Sequence, residues 1–89
     1  MKAVITVTGK DSVGIIALVS SECAVYDANI LEISQSVLSE YFAMIMLADV
    51  SKLAIPFGDF ADKMRKLGES RGLEIHAMHE DIFNSMHRI

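Results

Sequence analysis

The stretch TVTGKDSVGI, residues 6–15, joins a β-branched run to an apolar one through Gly9, Lys10, Asp11, Ser12, Val13 and Gly14. A strand-to-helix turn of this kind leaves backbone N–H groups at the positive end of a helix dipole, a setting that suits a carboxylate. Lys10 adds a cation. Gly14 has no Cβ, so a ligand or another backbone can approach it closely. Asp11 works in two directions: as a cap it satisfies one N–H and repels an anion, and turned outward it holds an ammonium group. A second group follows at Asn29, Ile30 and Leu31. Asn29 carries a donor and an acceptor and can bind either end of an amino acid. The same residues also read as a plain helix capped by Asp11 or Ser12 and ended by Asn29. The residues alone therefore leave both a ligand site and a simple connector open.

Other chemistry is thin. His76 and His79 stand three apart in IHAMH, and His87 lies in the tail. On a strand an odd separation sends two side chains to opposite faces, so these histidines share no metal there. No metal or other cofactor is expected. Cys23, the single cysteine, has no histidine near it in sequence and reads as a small core residue. No nucleophile–base pair or paired acid set is visible, so an enzyme is not expected.

Composition narrows the partners. The net charge of −4, with no basic run of five or more, argues against nucleic acid. One cysteine permits no intrachain disulfide, which fits a reducing compartment. The opening MKAVITVTGKD turns polar too soon for a secretory signal, and no apolar run approaches the roughly 20 residues of a membrane span. The expectation is a single cytoplasmic domain over residues 1–89. At 52% hydrophobic residues it can bury a core, although a domain this small covers only about 60–65% of its unfolded surface.

These residues must be positioned by regular elements. AVITVT (3–8) is β-branched and reads as a strand. Ile15, Leu18, Val19, Cys23 and Tyr26 recur at helical spacing, which predicts a helix from Gly14 to about Ala28. Leu31, Ile33 and Val37 alternate with polar residues, the period of a strand over 30–38. A turn at Ser39–Glu40 leads into YFAMIMLADV (41–50), apolar on both faces. Beyond Pro56, helical spacing returns at Phe57, Phe60, Met64 and Leu67, with a glycine stop at Gly72. LEIHAM (73–78) is a last strand, and Ile82, Phe83, Met86 and Ile89 mark a short terminal helix. The order is α+β: a ferredoxin-like βαββαβ sandwich with a four-stranded antiparallel sheet, two helices on one face, and a short C-terminal helix.

That fold hosts many functions. A soft-metal carrier needs a C-x-x-C pair, which one cysteine excludes. An RNA-binding sheet needs basic residues beside its aromatics, and Tyr41 and Phe42 have none. Acylphosphatase chemistry needs a phosphate-holding arginine in the first loop, where this chain has Lys10. TGKDSVGI followed by ANILEISQ instead resembles the ACT domain, a small regulatory module that senses amino acids. The matching residues are Asp11 and Gly14 of a D-x-x-G turn and the Asn29-Ile30-Leu31 start of the second strand. The tail HEDIFNSMHRI resembles small stand-alone bacterial and archaeal ACT-domain proteins. Many ACT turns have proline before the glycine. This chain has Val13, which keeps an N–H.

The resemblance implies a homodimer, paired side by side into a continuous sheet, with an amino-acid-like ligand at the interface. It places that ligand near Lys10, Asp11, Ser12, Val13, Gly14, Asn29, Ile30 and Leu31. The residues ask for a partner independently. Helices cover one sheet face, yet the third strand is apolar on both, and an exposed set of that size marks an interface. Two functions follow as expectations. One is a regulatory ligand-binding module. The alternative is a ligand-independent interaction subunit of a metabolic or regulatory complex.

Overall fold

A computed structural model describes residues 1–86. Its elements are β1 (Lys2–Lys10), α1 (Ile15–Val25), β2 (Asn29–Leu38), β3 (Tyr41–Asp49), α2 (Phe57–Arg71), β4 (Leu73–His79) and α3 (Glu80–Met86). The sheet order is β2-β3-β1-β4, and every neighbouring pair is antiparallel. This is the ferredoxin-like arrangement, with the most apolar strands, β1 and β3, in the middle.

Strand alternation sorts the side chains into two faces. Ala3, Ile5 and Val7 of β1, Phe42, Met44, Met46 and Ala48 of β3, and Leu73 and Ile75 of β4 point one way and are buried. Ile15, Val19 and Cys23 of α1 and Phe60 and Met64 of α2 close over them. Tyr26 meets Phe60 edge to face, with ring centroids 6.2 Å apart. Each large side chain buried in this layer is worth about 1.5–3 kcal/mol. Tyr41, Ala43 and Ile45 of β3 point the other way and are exposed. The expected choice between the two faces of the third strand thus falls on Phe42, Met44 and Met46 for the core.

The histidines divide as their spacing requires. His76 stands opposite Thr6 on the face away from α1 and α2, with Nε2 3.0 Å from Glu74 Oε2. His79 stands opposite Ala3 on the helix-facing side, where its ring stacks on Phe57 at 4.2 Å. Among the described residues no three groups are placed to hold a metal ion. His87 lies outside the described residues.

Cys23 is wholly buried on α1, and burial together with the nearby Glu22 charge pushes its thiol up to about 11. The thiolate is the reactive form, so Cys23 should be inert in the folded protein. A disulfide reagent at pH 8 is expected to label it fully in guanidinium and only at the rate of unfolding in buffer. Fast labelling of the native protein would contradict the buried position.

The end of α2 sits tightly on β4. A Cβ built on Gly68 would lie 2.6 Å from the Leu73 carbonyl oxygen and 2.9 Å from Ile75 Cγ1. Gly72 then ends the helix in the left-handed region at φ 69°, with its N–H bonded to the Gly68 carbonyl. Gly58, near the start of the same helix, has nothing among the described residues within 4 Å of its Cβ position. Gly58→Ala should therefore raise stability by about 0.5–1 kcal/mol through helix propensity. Gly68→Ala gains the same propensity but should lower stability by roughly 1–3 kcal/mol, because backbone must shift to admit the methyl group. Urea unfolding of both variants checks the contrast. Equal midpoints would refute it.

Candidate functional site

The loop between β1 and α1 is built differently from its simplest reading. The residue before α1 is Gly14, in the left-handed region at φ 87°, and no side chain caps the helix. Asp11 and Ser12, the expected caps, are displaced from that role because the chain reverses through Gly14 itself. Among the described residues nothing lies within 4 Å of a Cβ at Gly14. Glycine is thus favoured here by backbone angle, and the space beside it within this chain is open.

The first helical bond runs from the Leu18 N–H to the Gly14 carbonyl at 2.9 Å, so earlier N–H groups lie outside the helical ladder. Lys10, Asp11, Ser12, Val13 and Gly14 are all exposed around this opening. The Asp11 N–H donates to the Glu40 carbonyl at 2.7 Å, which ties the loop to the β2–β3 turn. Lys10, Glu40 and the uncapped helix start therefore share one end of the sheet.

Asn29, Ile30 and Leu31 stand at the other end. Asn29 is paired with Asp49, and Asp49 with Lys2, whereas Lys10 is paired with Tyr41 and Tyr41 with Leu38. Eight strand steps separate Lys2 from Lys10, about 26 Å at the usual rise. Each predicted group is brought together, but the two groups are not brought together within one chain.

The Asn29 end has its own geometry. A cleft of about 650 Å³ is lined by Ala24, Asp27, Ala28, Asn29, Asp49, Ser51 and Lys52. Asp27 takes a left-handed angle, φ 61°, after α1, and Asn29 begins β2. Asp49 Oδ1 accepts from the Ser51 hydroxyl at 2.6 Å and from the Ser51 N–H at 2.9 Å. These bonds, the hydroxyl first, hold its carboxyl below the usual carboxylate range, helped by the Met1 ammonium 4.0 Å away and then by Lys2. A carboxylate thus stands beside Asn29 at neutral pH.

Asp27, Asp49, Ser51 and Lys52 were not picked out by motif reasoning. The signal lay in the hairpin. Counting back from Ser39–Glu40 places Asn29 across from Val50, and a bulge between Ile30 and Glu32 moves it by one residue to Asp49.

Among the described residues no helix is long and apolar enough to cross a membrane. The profile of the ACT domain family matches residues 2–77. A UPF0237 protein of Clostridium acetobutylicum is 49% identical over 89 residues, covering all of both chains. The solved structure of an ACT domain protein from Streptococcus pneumoniae superposes with a TM-score of 0.81 at 38% identity, over 93% of each chain. A formyltetrahydrofolate deformylase from Pseudomonas syringae carries the same fold, with a TM-score of 0.78 at 22% identity over 88% of this chain and 27% of its own. The β1–α1 turn, the sheet order and a match along nearly the whole length agree: this chain belongs to the ACT domain family, whose members are generally regulatory ligand-binding modules.

Proposed function

We propose that the chain is a cytoplasmic regulatory module that binds a small amino-acid-like ligand as a homodimer. The ligand lies between Lys10–Gly14 of one protomer and Asn29–Leu31 of its partner. The observation that carries this reading is the separation of the two groups to opposite ends of one chain, with an open strand edge running between them. β2 is the outer strand beside β3, and almost all of its residues are exposed. Such an edge is a template for pairing.

An antiparallel pairing of two β2 strands centred near Ser34 sets Asn29 across from the partner's Ser39–Glu40 turn. The Asp11–Glu40 bond holds the loop beside that turn. Each two-fold pair then has two equivalent sites. In each, the uncapped start of α1 suits the ligand carboxylate, and Asn29 with its neighbouring carboxylates suits the ammonium. The ligand-independent interaction subunit is the second reading, favoured by the exposed Tyr41 and Ile45 on the face away from α1 and α2.

A thermal-shift screen of the natural amino acids at millimolar concentration tests the first reading. A ligand that binds only the native state adds about 2.7 kcal/mol at one hundred times its Kd. In a domain of this size each kcal/mol moves Tm by roughly 4–8 °C. At least one amino acid is expected to shift the transition. Asn29→Ala and Gly14→Val should abolish that shift, and Ser12→Ala should diminish it less than Gly14→Val does. Gly14→Val also forces a β-branched residue to φ 87°, so its own Tm should fall by the equivalent of at least about 1–2 kcal/mol. A transition unmoved by every amino acid would transfer the weight to the interaction subunit.

A further inference from the structure

We infer that the ligand is an amino acid with an aliphatic side chain, received by an uncharged strip between α1 and β2. The inference rests on the ligand site proposed above and names what that site selects.

The strip has two banks. On β2, Ile33, Gln35 and Val37 stand opposite Met46, Met44 and Phe42 and point to the side that α1 and α2 cover. Glu32, the one charged residue of this strand, stands opposite Leu47 and points away. On α1, Ile15, Val19 and Cys23 face the core and leave the helix two flanks. Leu18, Ser21 and Val25 line a groove with Arg71, which marks the flank towards α2. Ala24 lines the cleft with Asn29 and Asp49, which marks the flank towards β2. Four-residue spacing puts Ile16 and Ser20 on that second flank. The Ser20 hydroxyl donates to the Ile16 carbonyl at 2.7 Å, so the helix itself occupies this donor. Neither bank carries a charge.

The apolar side chains of the strip are open to solvent: Val37 is 53% exposed, Ile33 42% and Ile16 36%. Two of them lie at the loop end. Ile16 is in the first turn of α1, and Val37 comes two residues before the Ser39–Glu40 turn that the Asp11 N–H holds. Val13, wholly exposed, stands at the same opening. A ligand with its carboxylate at the start of α1 therefore has its side chain beside Ile16, Val37 and Val13. A charged side chain laid there loses hydration and finds no counter-charge on either bank, and a hydroxyl meets a single polar side chain, Gln35. An aliphatic side chain releases water from both banks.

Titration calorimetry of the parent with alanine, 2-aminobutyrate and norvaline, and with serine, aspartate and lysine, tests this. Each methylene along the first three is expected to tighten Kd by roughly four-fold. Serine, aspartate and lysine should all bind more weakly than 2-aminobutyrate. Val37→Thr and Ile16→Ala should each weaken norvaline by roughly ten-fold and alanine by less than about two-fold. Ile16→Ala leaves the β2 edge intact, so it decides if Val37→Thr changes the mass of the particle by light scattering. A flat series overturns the inference and leaves the amino-acid site standing, and so does serine, aspartate or lysine binding as tightly as norvaline. A methylene gain that Ile16→Ala leaves whole overturns the placement on this strip. Norvaline that fails to bind overturns the inference, and the amino-acid site falls with it only when the thermal-shift panel is also unmoved.

Discussion

Two helices can cover only one face of a four-stranded sheet, and most of this molecule follows from that constraint. α1 has 11 residues and α2 has 15, and both lie over the side where Ile5, Val7, Met44, Met46 and Ile75 point. β3 is nonetheless apolar on both sides. Its even-numbered residues complete the core, and its odd-numbered residues, Tyr41, Ala43 and Ile45, face out. A strand serving only a two-layer monomer would alternate apolar with polar residues. Here the alternation is large with large, so Tyr41 and Ile45 leave apolar area exposed on the outer face, while Val4 on the same face is buried.

The same constraint leaves β2 at the margin. Ile33 and Val37 point to the helix-facing side, in register with Met46 and Phe42, yet both remain exposed. Position at the edge outweighs the face a residue points to. Helical cover reaches β1, β3 and β4, and on β2 only Ile30 packs against the core. An edge strand with unpaired backbone groups and exposed apolar side chains has high potential for strand addition.

Much of this was legible in the residues because the periods were clean. Alternation at Leu31, Ile33 and Val37 gave a strand, three- and four-residue spacing gave both long helices, and Gly72 stopped α2 where a left-handed residue was needed. Two features were hidden. The helix cap was assigned to Asp11 or Ser12 by residue type, but capping depends on the path of the chain, and a reversal through Gly14 leaves those side chains outside the cap position. The neighbours of Asn29 depended on a bulge at the Ile30–Glu32 step, and a one-residue insertion in a ladder leaves no mark in the hydrophobic pattern. Motif matching also said nothing of distance. Asp11, Gly14, Asn29, Ile30 and Leu31 are close in a family signature and lie at opposite ends of the folded chain.

That separation has a consequence for how a ligand would act. A site contained within one chain stabilises that chain alone. A site divided between Gly14 of one protomer and Asn29 of the other exists only in the dimer, so its ligand tightens the association and, by linkage, association tightens the ligand. The uncapped N–H groups of α1 and the carboxylate of Asp49, held ionised by Ser51, put positive and negative character on the two sides of such a joint. A zwitterion spanning it neutralises both sides together, whereas an isolated carboxylate or amine neutralises one and leaves the other facing it. On this reading amino-acid selectivity rests on the two-fold pairing itself: neither half of the joint, taken alone, distinguishes a zwitterion from a simple ion.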